Sequence, residues 1–200
     1  MNDRAKPILD ALQLVDGLRT QRRQDASLAL RIGQVKSYQA DRFANTYRDL
    51  LRSPRYQMAA EFFLSELYGP QEFSDRDAQF ARVVPSLVRM FPKQLHGVLL
   101  DLAALHALSE QMDTAMANRI ATATLDTHSY QVAWQQCGRP ESRRLQIELT
   151  LRIGRALERL TRSRMLRTAL RLMRAPAKAA NLSALQHVLE TGFTGRFWRY

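Results

Sequence analysis

Apolar residues recur along most of this chain at steps of three and four, which is the spacing of one buried face on an α-helix. The first run contains Ile8, Leu12, Val15 and Leu18, and a second run extends from Leu28 to Leu50. No segment alternates apolar and polar residues in the way that a half-buried strand requires. The pattern therefore predicts an all-α fold.

Prolines, glycines and capping residues predict where the helices begin and end. The polar stretch 20–25 predicts a turn or loose joint after the first helix, and the second helix is expected to reach Ser53-Pro54. Serine is a favourable N-cap and proline is tolerated in the first helical turn, so a third helix is expected to begin there. Gly69-Pro70 is expected to end it.

The third and fourth predicted helices carry distinctive residues. Phe62, Phe63 and neighbouring apolar residues make the third helix the most aromatic, so we expect it at the centre of the core. Ser74 and Asp77 resemble a capping box for the fourth helix. Pro85 lies within that helix, where it removes a backbone hydrogen bond and predicts a kink or a restart.

The fifth predicted helix has the most regular pattern. Its apolar seam contains Leu95, Val98, Leu102, Leu105, Ser109, Met112 and Met116. This seam fits a core helix of a bundle or, as the alternative, a dimeric coiled coil. A sixth helix is expected from Ala121 to Gln136 with Gly138 as its C-cap, then a long basic helical segment, 141–174, with a break near 161–163, and a short last helix after Ser183. We therefore expect a single domain over residues 1–200, built as a bundle of six to eight helices.

The charge of the chain is unevenly distributed. The net charge is +11, and residues 138–200 contain 14 basic and 4 acidic residues, whereas residues 1–137 contain 16 and 15. Eight arginines in this basic third form two helical stripes: Arg152, Arg155, Arg159, Arg162, Arg164, Arg167, Arg171 and Arg174. Such a stripe can bind nucleic acid, an acidic protein or an anionic membrane surface, or it can be the solvated face of a bundle helix.

Few residues have the spacing of a chemical site. His106 and Glu110 are four residues apart, so they are weak candidates for a metal or haem site, and the alternative is an ion pair at the surface or at the boundary of the core. A second polar set, expected to fix the turn after the third helix, contains Arg55, Glu66, Arg76, Asp77 and Arg82. A single cysteine, Cys137, excludes an intrachain disulfide and is consistent with a cytoplasmic location. The sequence predicts no transmembrane segment.

Several short motifs resemble a family of uncharacterised all-helical proteobacterial proteins. They are TYRDLL at 46–51, PRY at 54–56, FFLSELYGP at 62–70, RD at 76–77, RVVP at 82–85, LSEQMD at 108–113, MRAPAKAANLSALQ at 173–186 and LETGF at 189–193. The resemblance covers most of the chain from about residue 47 onward. It implies an all-helical single domain, and it implies no activity and no catalytic residues.

These observations favour a non-catalytic, cytoplasmic interaction protein with no cofactor. A homodimer formed through the fifth helix or through the aromatic tail at 193–200 is one expectation for its assembly. The alternatives are a nucleic-acid or anionic-surface binder that uses the arginine stripes, and a haem-binding, metal-binding or enzymatic bundle that uses His106.

Overall fold

The computed structural model describes residues 4–67, 74–90, 93–120 and 124–161, together with residues 168, 178 and 182. Within these ranges the chain contains no strand, which confirms the predicted all-α class. The described helices are α1 Lys6–Gln24, α2 Ala26–Thr46, α3 Arg48–Arg52, α4 Gln57–Phe62, α5 Ser74–Met90, α6 Lys93–Ala117, α7 Thr127–Cys137 and α8 Pro140–Thr161. A π-helical turn, Phe63–Leu67, continues α4. In the part of the chain that the structure describes, every helix is too short or too polar to cross a membrane.

The bundle is organised around α6. This helix packs against α1, α2, α7 and α8, and three residues of its regular seam, Val98, Met112 and Met116, are buried. The seam therefore faces helices of the same chain. This is the bundle arrangement, and it differs from the dimeric coiled coil that the same spacing allowed.

Among the residues that the structure describes, buried apolar side chains cluster near both ends of α6. Near its N-terminus, residues of α1, α5 and α6 pack together: Ala5, Ile8, Leu12, Val84, Val88, Leu99 and Ala103. Near its C-terminus, Val35, Met116, Ile120, Tyr130 and Ala133 form a second cluster, in which the rings of Tyr38 and Tyr130 stack with centroids 4.3 Å apart. Residues 106–113 of α6 lie between the two regions.

The joint predicted at 20–25 is a single residue. α1 remains helical to Gln24, and Asp25 is the N-cap of α2, where its Oδ1 accepts a hydrogen bond of 2.9 Å from the backbone N–H of Leu28. The stretch stays helical because Arg19 and Arg22 have buried partners. The long second helix is also shorter than predicted, since α2 ends at Thr46 and α3 is a separate short helix.

The third predicted helix begins later than Pro54. Residues 54–56 form a turn, and α4 begins at Gln57, whose backbone N–H donates to the carbonyl of Ser53 at 2.8 Å. Among the described side chains of α4 only Ala60 is buried. The core that the structure describes is centred on α6. Phe63 is half-buried, with its ring centroid 4.9 Å from that of Phe43, and the side chain of Phe62 lies outside the described ones, so the place of the aromatic helix in the core stays a prediction.

Pro85 does not restart its helix. α5 is helical on both sides of the proline, because Val84 and Val88 are buried and hold the two halves against the core. α7 begins at Thr127 rather than Ala121, since the side chains of Asp126 and Ser129 cap it reciprocally.

Gly138 is confirmed as the C-cap of α7, with a φ of 61°. The turn at Gly69-Pro70, most of the break at 161–163, the last helix and the aromatic tail were also predicted, and they lie outside the described residues.

Candidate functional site

Two arginines occupy the buried face of α1. Arg19 and Arg22 continue the steps of four and three that begin with Ile8, Leu12 and Val15, and they are 3% and 5% exposed. Removing a guanidinium from water is costly unless it is paired and hydrogen-bonded. The structure supplies carboxylate partners from α5 and α6.

Arg19 meets Asp77 and His106. Its Nη1 donates to Oδ2 of Asp77 at 2.9 Å, and His106 Nε2 lies 2.7 Å from the same oxygen. This short contact places the imidazole proton on Nε2, because the carboxylate can only accept. Burial raises the pKa of Asp77, but the hydrogen bond and charge of His106, together with Arg19 and Arg76, lower it more, and the net shift is downward.

Glu110 holds the second arginine and a lysine. Arg22 Nη2 donates to Oε2 of Glu110 at 2.5 Å, and Lys36 Nζ donates to Oε1 at 2.6 Å. Burial raises the pKa of Glu110, but these two cations reverse that effect and lower it to about 2. Glu110 is therefore an ionised carboxylate at neutral pH, although it is only 3% exposed.

Asp113 is one turn further along α6 and has a weaker partner. Its Oδ1 accepts a hydrogen bond of 3.1 Å from Nε2 of Gln39. Burial raises the pKa of Asp113 to about 6, and the charge of Glu110 adds to this rise, whereas Lys36, Gln39 and Arg143 oppose it. Asp113 is the acidic group of this region that the protein stabilises least in its ionised form.

We call this region the charge layer. Its members are Arg19, Arg22, Lys36, Gln39, Asp77, His106, Glu110 and Asp113. Four helices, α1, α2, α5 and α6, contribute these side chains, and the layer separates the two apolar regions of the bundle. Each of its carboxylates accepts a hydrogen bond from a cationic or amide group of the same chain.

His106 and Glu110 were the weak candidates for metal or haem binding. Nε2 of His106 is bound to Asp77, and both oxygens of Glu110 are bound to cations. Within the described ranges, no three His, Cys, Asp or Glu side chains are grouped so that they could hold a metal ion. Both residues have partners on other helices: Glu110 forms its ion pairs in the interior, and His106, whose side chain is 24% exposed, contacts Asp77 at the boundary of the core.

The polar set that was predicted to fix the turn after the third helix is only partly brought together. Arg76 Nε lies 3.6 Å from Oδ1 of Asp77, and Asp77 belongs to the charge layer. Arg55 lies over the ring of Tyr56, 5.1 Å from its centroid, and Arg82 is exposed. The side chain of Glu66, the remaining member, lies outside the described part of the chain.

The sequence contained a signal for the charge layer that periodicity alone did not exploit. Arg19 and Arg22 are in phase with the buried stripe of α1, and Gln39 is likewise in phase with Ile32 and Val35 on α2. Polar residues at buried positions require partners. The apolar spacing did not identify those partners, so sequence reasoning missed five members of the network: Arg19, Arg22, Lys36, Gln39 and Asp113.

The arginine stripe is partly described. Arg152 donates from Nε and Nη2 to the two carboxylate oxygens of Asp101 on α6, at 2.6 and 2.7 Å. Arg155 and Arg159 are exposed. The other five arginines of the prediction, Arg162, Arg164, Arg167, Arg171 and Arg174, lie outside the described residues.

The exposed side of α8 is the second candidate site. Leu149, Ile153 and Ala156 are buried on the side that packs against α6. Across the helix lies a solvent-facing strip that we call the outer α8 face, and it contains Arg144, Ile147, Glu148, Leu151, Gly154, Arg155 and Glu158. Ile147 is 63% exposed and Leu151 is 54% exposed.

Leu145 continues the four-residue spacing of Leu149 and Ile153 toward the N-terminus of α8, but it is 44% exposed. The buried side of α8 is therefore narrower at its N-terminus than this spacing indicates.

The comparisons with known proteins identify a family but no function. Neither the curated proteins nor the solved structures contain a match to this chain. The model of one family, described as a domain of unknown function, matches residues 18–196, a range that includes all of the charge layer and all of α8. The protein therefore belongs to the DUF8198 family, which agrees with the resemblance seen in its sequence motifs.

Proposed function

We propose that this protein is a non-catalytic interaction protein of the cytoplasm that binds a macromolecular partner through the outer α8 face. The observation that carries the proposal is the exposure of Ile147 and Leu151, which lie one turn apart in the middle of a helix that packs on its other side against α6. Single exposed aliphatic side chains are common on protein surfaces. An adjacent pair rimmed by charged residues is typical of a docking surface.

The charge layer, which lies inside the protein, supports the non-catalytic part of this proposal. A catalytic acid or base must present its reactive atom to a substrate. The carboxylates of Asp77, Glu110 and Asp113 instead accept hydrogen bonds from Arg, Lys, His and Gln side chains of the same chain, which is the behaviour of structural ion pairs. The free thiol of Cys137 is consistent with the reducing compartment that we propose.

Binding to nucleic acid is the second candidate. The exposed guanidinium groups of Arg155 and Arg159 favour it, because arginines at this spacing can contact successive phosphates. Glu148 and Glu158 lie on the same exposed side of α8 and would repel a phosphate backbone. The described part of the stripe is therefore mixed in charge, and it favours a protein partner over a nucleic acid.

In-cell photo-crosslinking tests the proposed function. A photo-crosslinking amino acid replaces Leu151 in one variant and Leu30 in the control; Leu30 lies on α2 and is 65% exposed. After irradiation of cells that express the protein, we expect a discrete crosslinked product from position 151 and none from position 30. The masses of the products are measured by gel electrophoresis and mass spectrometry.

A discrete product from position 151 that survives nuclease treatment supports the proposed function, whatever the mass of the attached protein. Equal labelling at positions 30 and 151 would overturn it, since both side chains would then contact only random neighbours. A product that nuclease removes would assign the face to nucleic acid.

A further inference from the structure

The outer α8 face has a pattern that matches its own reverse. Arg144 is near one end and Glu158 is near the other, while Glu148 and Arg155 lie symmetrically inside them. Leu151 is at the middle. When two copies of a helix run antiparallel about a two-fold axis, residues equally far from the axis on opposite sides face each other.

We propose that the partner of the outer α8 face is a second copy of this chain, paired antiparallel through α8 about a two-fold axis near Leu151. This proposal rests on the proposed function, since it names the occupant of the same surface. A two-fold interface must be self-complementary, because the same patch is presented by both subunits.

The charges of the outer α8 face are self-complementary. With the axis beside Leu151, Glu148 lies within one residue, about 1.5 Å, of the height of the partner's Arg155, and 3.6 residues per turn place both on the same lateral side of the face. Arg144 lies at the height of the partner's Glu158. The two-fold axis repeats each pairing, so four pairs of oppositely charged side chains surround Leu151. Arg144 already lies 3.4 Å from Glu141, and both of those side chains are exposed.

The shape of the outer α8 face is also self-complementary. Leu151 meets the partner's Leu151 on the axis. Ile147 lies on the same lateral side as Gly154 and on the other side of the axis, so it faces the partner's Gly154. Gly154 is exposed and has no side chain, and a Cβ added there would meet nothing within 4 Å, so the surface at this position is low and open. Small residues let two helices approach closely, and Ile147 supplies the projecting side chain.

The mixed charge of the outer α8 face favours a second copy of this chain over an acidic protein or a nucleic acid. An acidic protein or a nucleic acid would be favoured by a uniformly basic surface. On the outer α8 face, two arginines and two glutamates surround the two aliphatic residues. Opposite charges placed at mirrored positions fix an antiparallel register, and like charges in any parallel pairing would oppose each other.

A charge-swap cycle tests the proposal in solution. Sedimentation equilibrium of the full chain at micromolar concentration should give a mass of twice 23.0 kDa for the wild type. Arg155→Glu and Glu148→Arg each place like charges opposite each other at two symmetric positions, so each should weaken dimerisation at least about tenfold. The double variant E148R/R155E restores both pairs with reversed sign and should return the dimer dissociation constant to within about threefold of the wild-type value.

Arg23→Glu on α1 is the matched control, because it makes the same change in net charge at a residue whose side chain is 55% exposed and lies on another helix. It should leave the dimer unchanged. Circular dichroism of every variant should match the wild type, since all the substituted side chains are exposed.

A monomeric wild type would overturn the dimer. If the Leu151 crosslink then had a mass other than twice that of the chain, the proposed function would stand without it. A dimer that survives both single reversals, or that the double variant does not restore, would also overturn this pairing.

Discussion

At the scale of single residues, Asp113 is the member of the charge layer whose ionised form is stabilised least. It is buried between α6 and α2, it lies close to the negative charge of Glu110, and its described hydrogen bond is donated by a neutral amide, that of Gln39. Lys36 and Arg143 attract its charge, and their attraction does not balance the loss of solvation. Ionised Asp113 should therefore destabilise the fold.

Asp113→Asn tests this directly. The folded-state pKa of about 6 is above the ordinary value of 3.8, so the contribution of Asp113 to stability is fully present below pH 3.8 and is lost as the pH rises through 6. Asparagine has the same shape and stays neutral. We expect the variant to be more stable than the wild type at pH 8, by on the order of 3 kcal/mol at most, and equal to it at pH 3.5.

Urea unfolding at the two pH values measures the difference. A variant that is less stable than the wild type at pH 8 would show that Lys36 and Arg143 do more than offset the burial of the carboxylate.

At the scale of helices, the joint between α7 and α8 depends on one backbone conformation. Gly138 has φ 61° and ψ −133°, a combination that is unfavourable for residues with a side chain, and Arg139 also has a positive φ of 55°. This turn sends α8 back along α6, so that Leu149 and Ile153 reach the core. The direction of the outer α8 face therefore depends on Gly138.

Gly138→Ala should cost about 1 to 3 kcal/mol of unfolding free energy, because the strain is in the backbone and the surrounding space is open. Gly33→Ala is the matched control. Gly33 is in the interior of α2, also with nothing within 4 Å of an added methyl group, and alanine is the better helix former. The control should gain about 0.5 to 1 kcal/mol. Thermal unfolding of both variants measures this difference in stability. Equal shifts in melting temperature would show that a side chain at residue 138 does not strain the backbone.

Local signals predicted the helices better than they predicted the charge layer. The three- and four-residue spacing was sufficient for the all-α class, for α6 as a core helix and for Gly138 as a C-cap, because each depends on residues within two turns. The layer joins Arg19 to Asp77 and Arg22 to Glu110, pairs that are 58 and 88 residues apart. Only the packing of α1 against α5 and α6 creates those contacts, and no periodicity along one helix specifies the partner on another.

At the scale of the whole molecule, the charge layer gives the protein a stability maximum at mildly acidic pH. Glu110 and Asp77 have lowered pKa values, so their contribution is present above their ordinary values of 4.5 and 3.8 and is lost as the pH falls, toward about 2 for Glu110. Asp113 has a raised pKa, so its contribution to stability is lost as the pH rises from its ordinary value of 3.8 through about 6. The unfolding free energy should therefore rise from pH 2 to between about 4 and 4.5, fall as the pH passes through about 6, and change little from there to pH 8.

Glu110→Gln should flatten the acidic side of that profile. It should also cost about 3 to 5 kcal/mol at pH 5, because Arg22 and Lys36 are left without their carboxylate. Asp10→Asn is the control: it removes the exposed pair with Lys6 and should cost about 0.5 kcal/mol or less. Urea titrations from pH 2 to 8 measure all three proteins. A Glu110→Gln profile parallel to that of the wild type would contradict this account.

The charge layer also limits the routes by which this sequence can change. Replacing Glu110 alone removes the carboxylate that Arg22 and Lys36 share, and replacing Arg22 alone removes one of the cations around a buried carboxylate, so each first step is costly. A neutral layer is reached only by several substitutions on α1, α2 and α6 made together, because neighbouring residues in one network do not act independently. In an evolving lineage the layer should therefore be inherited, or lost, as one unit.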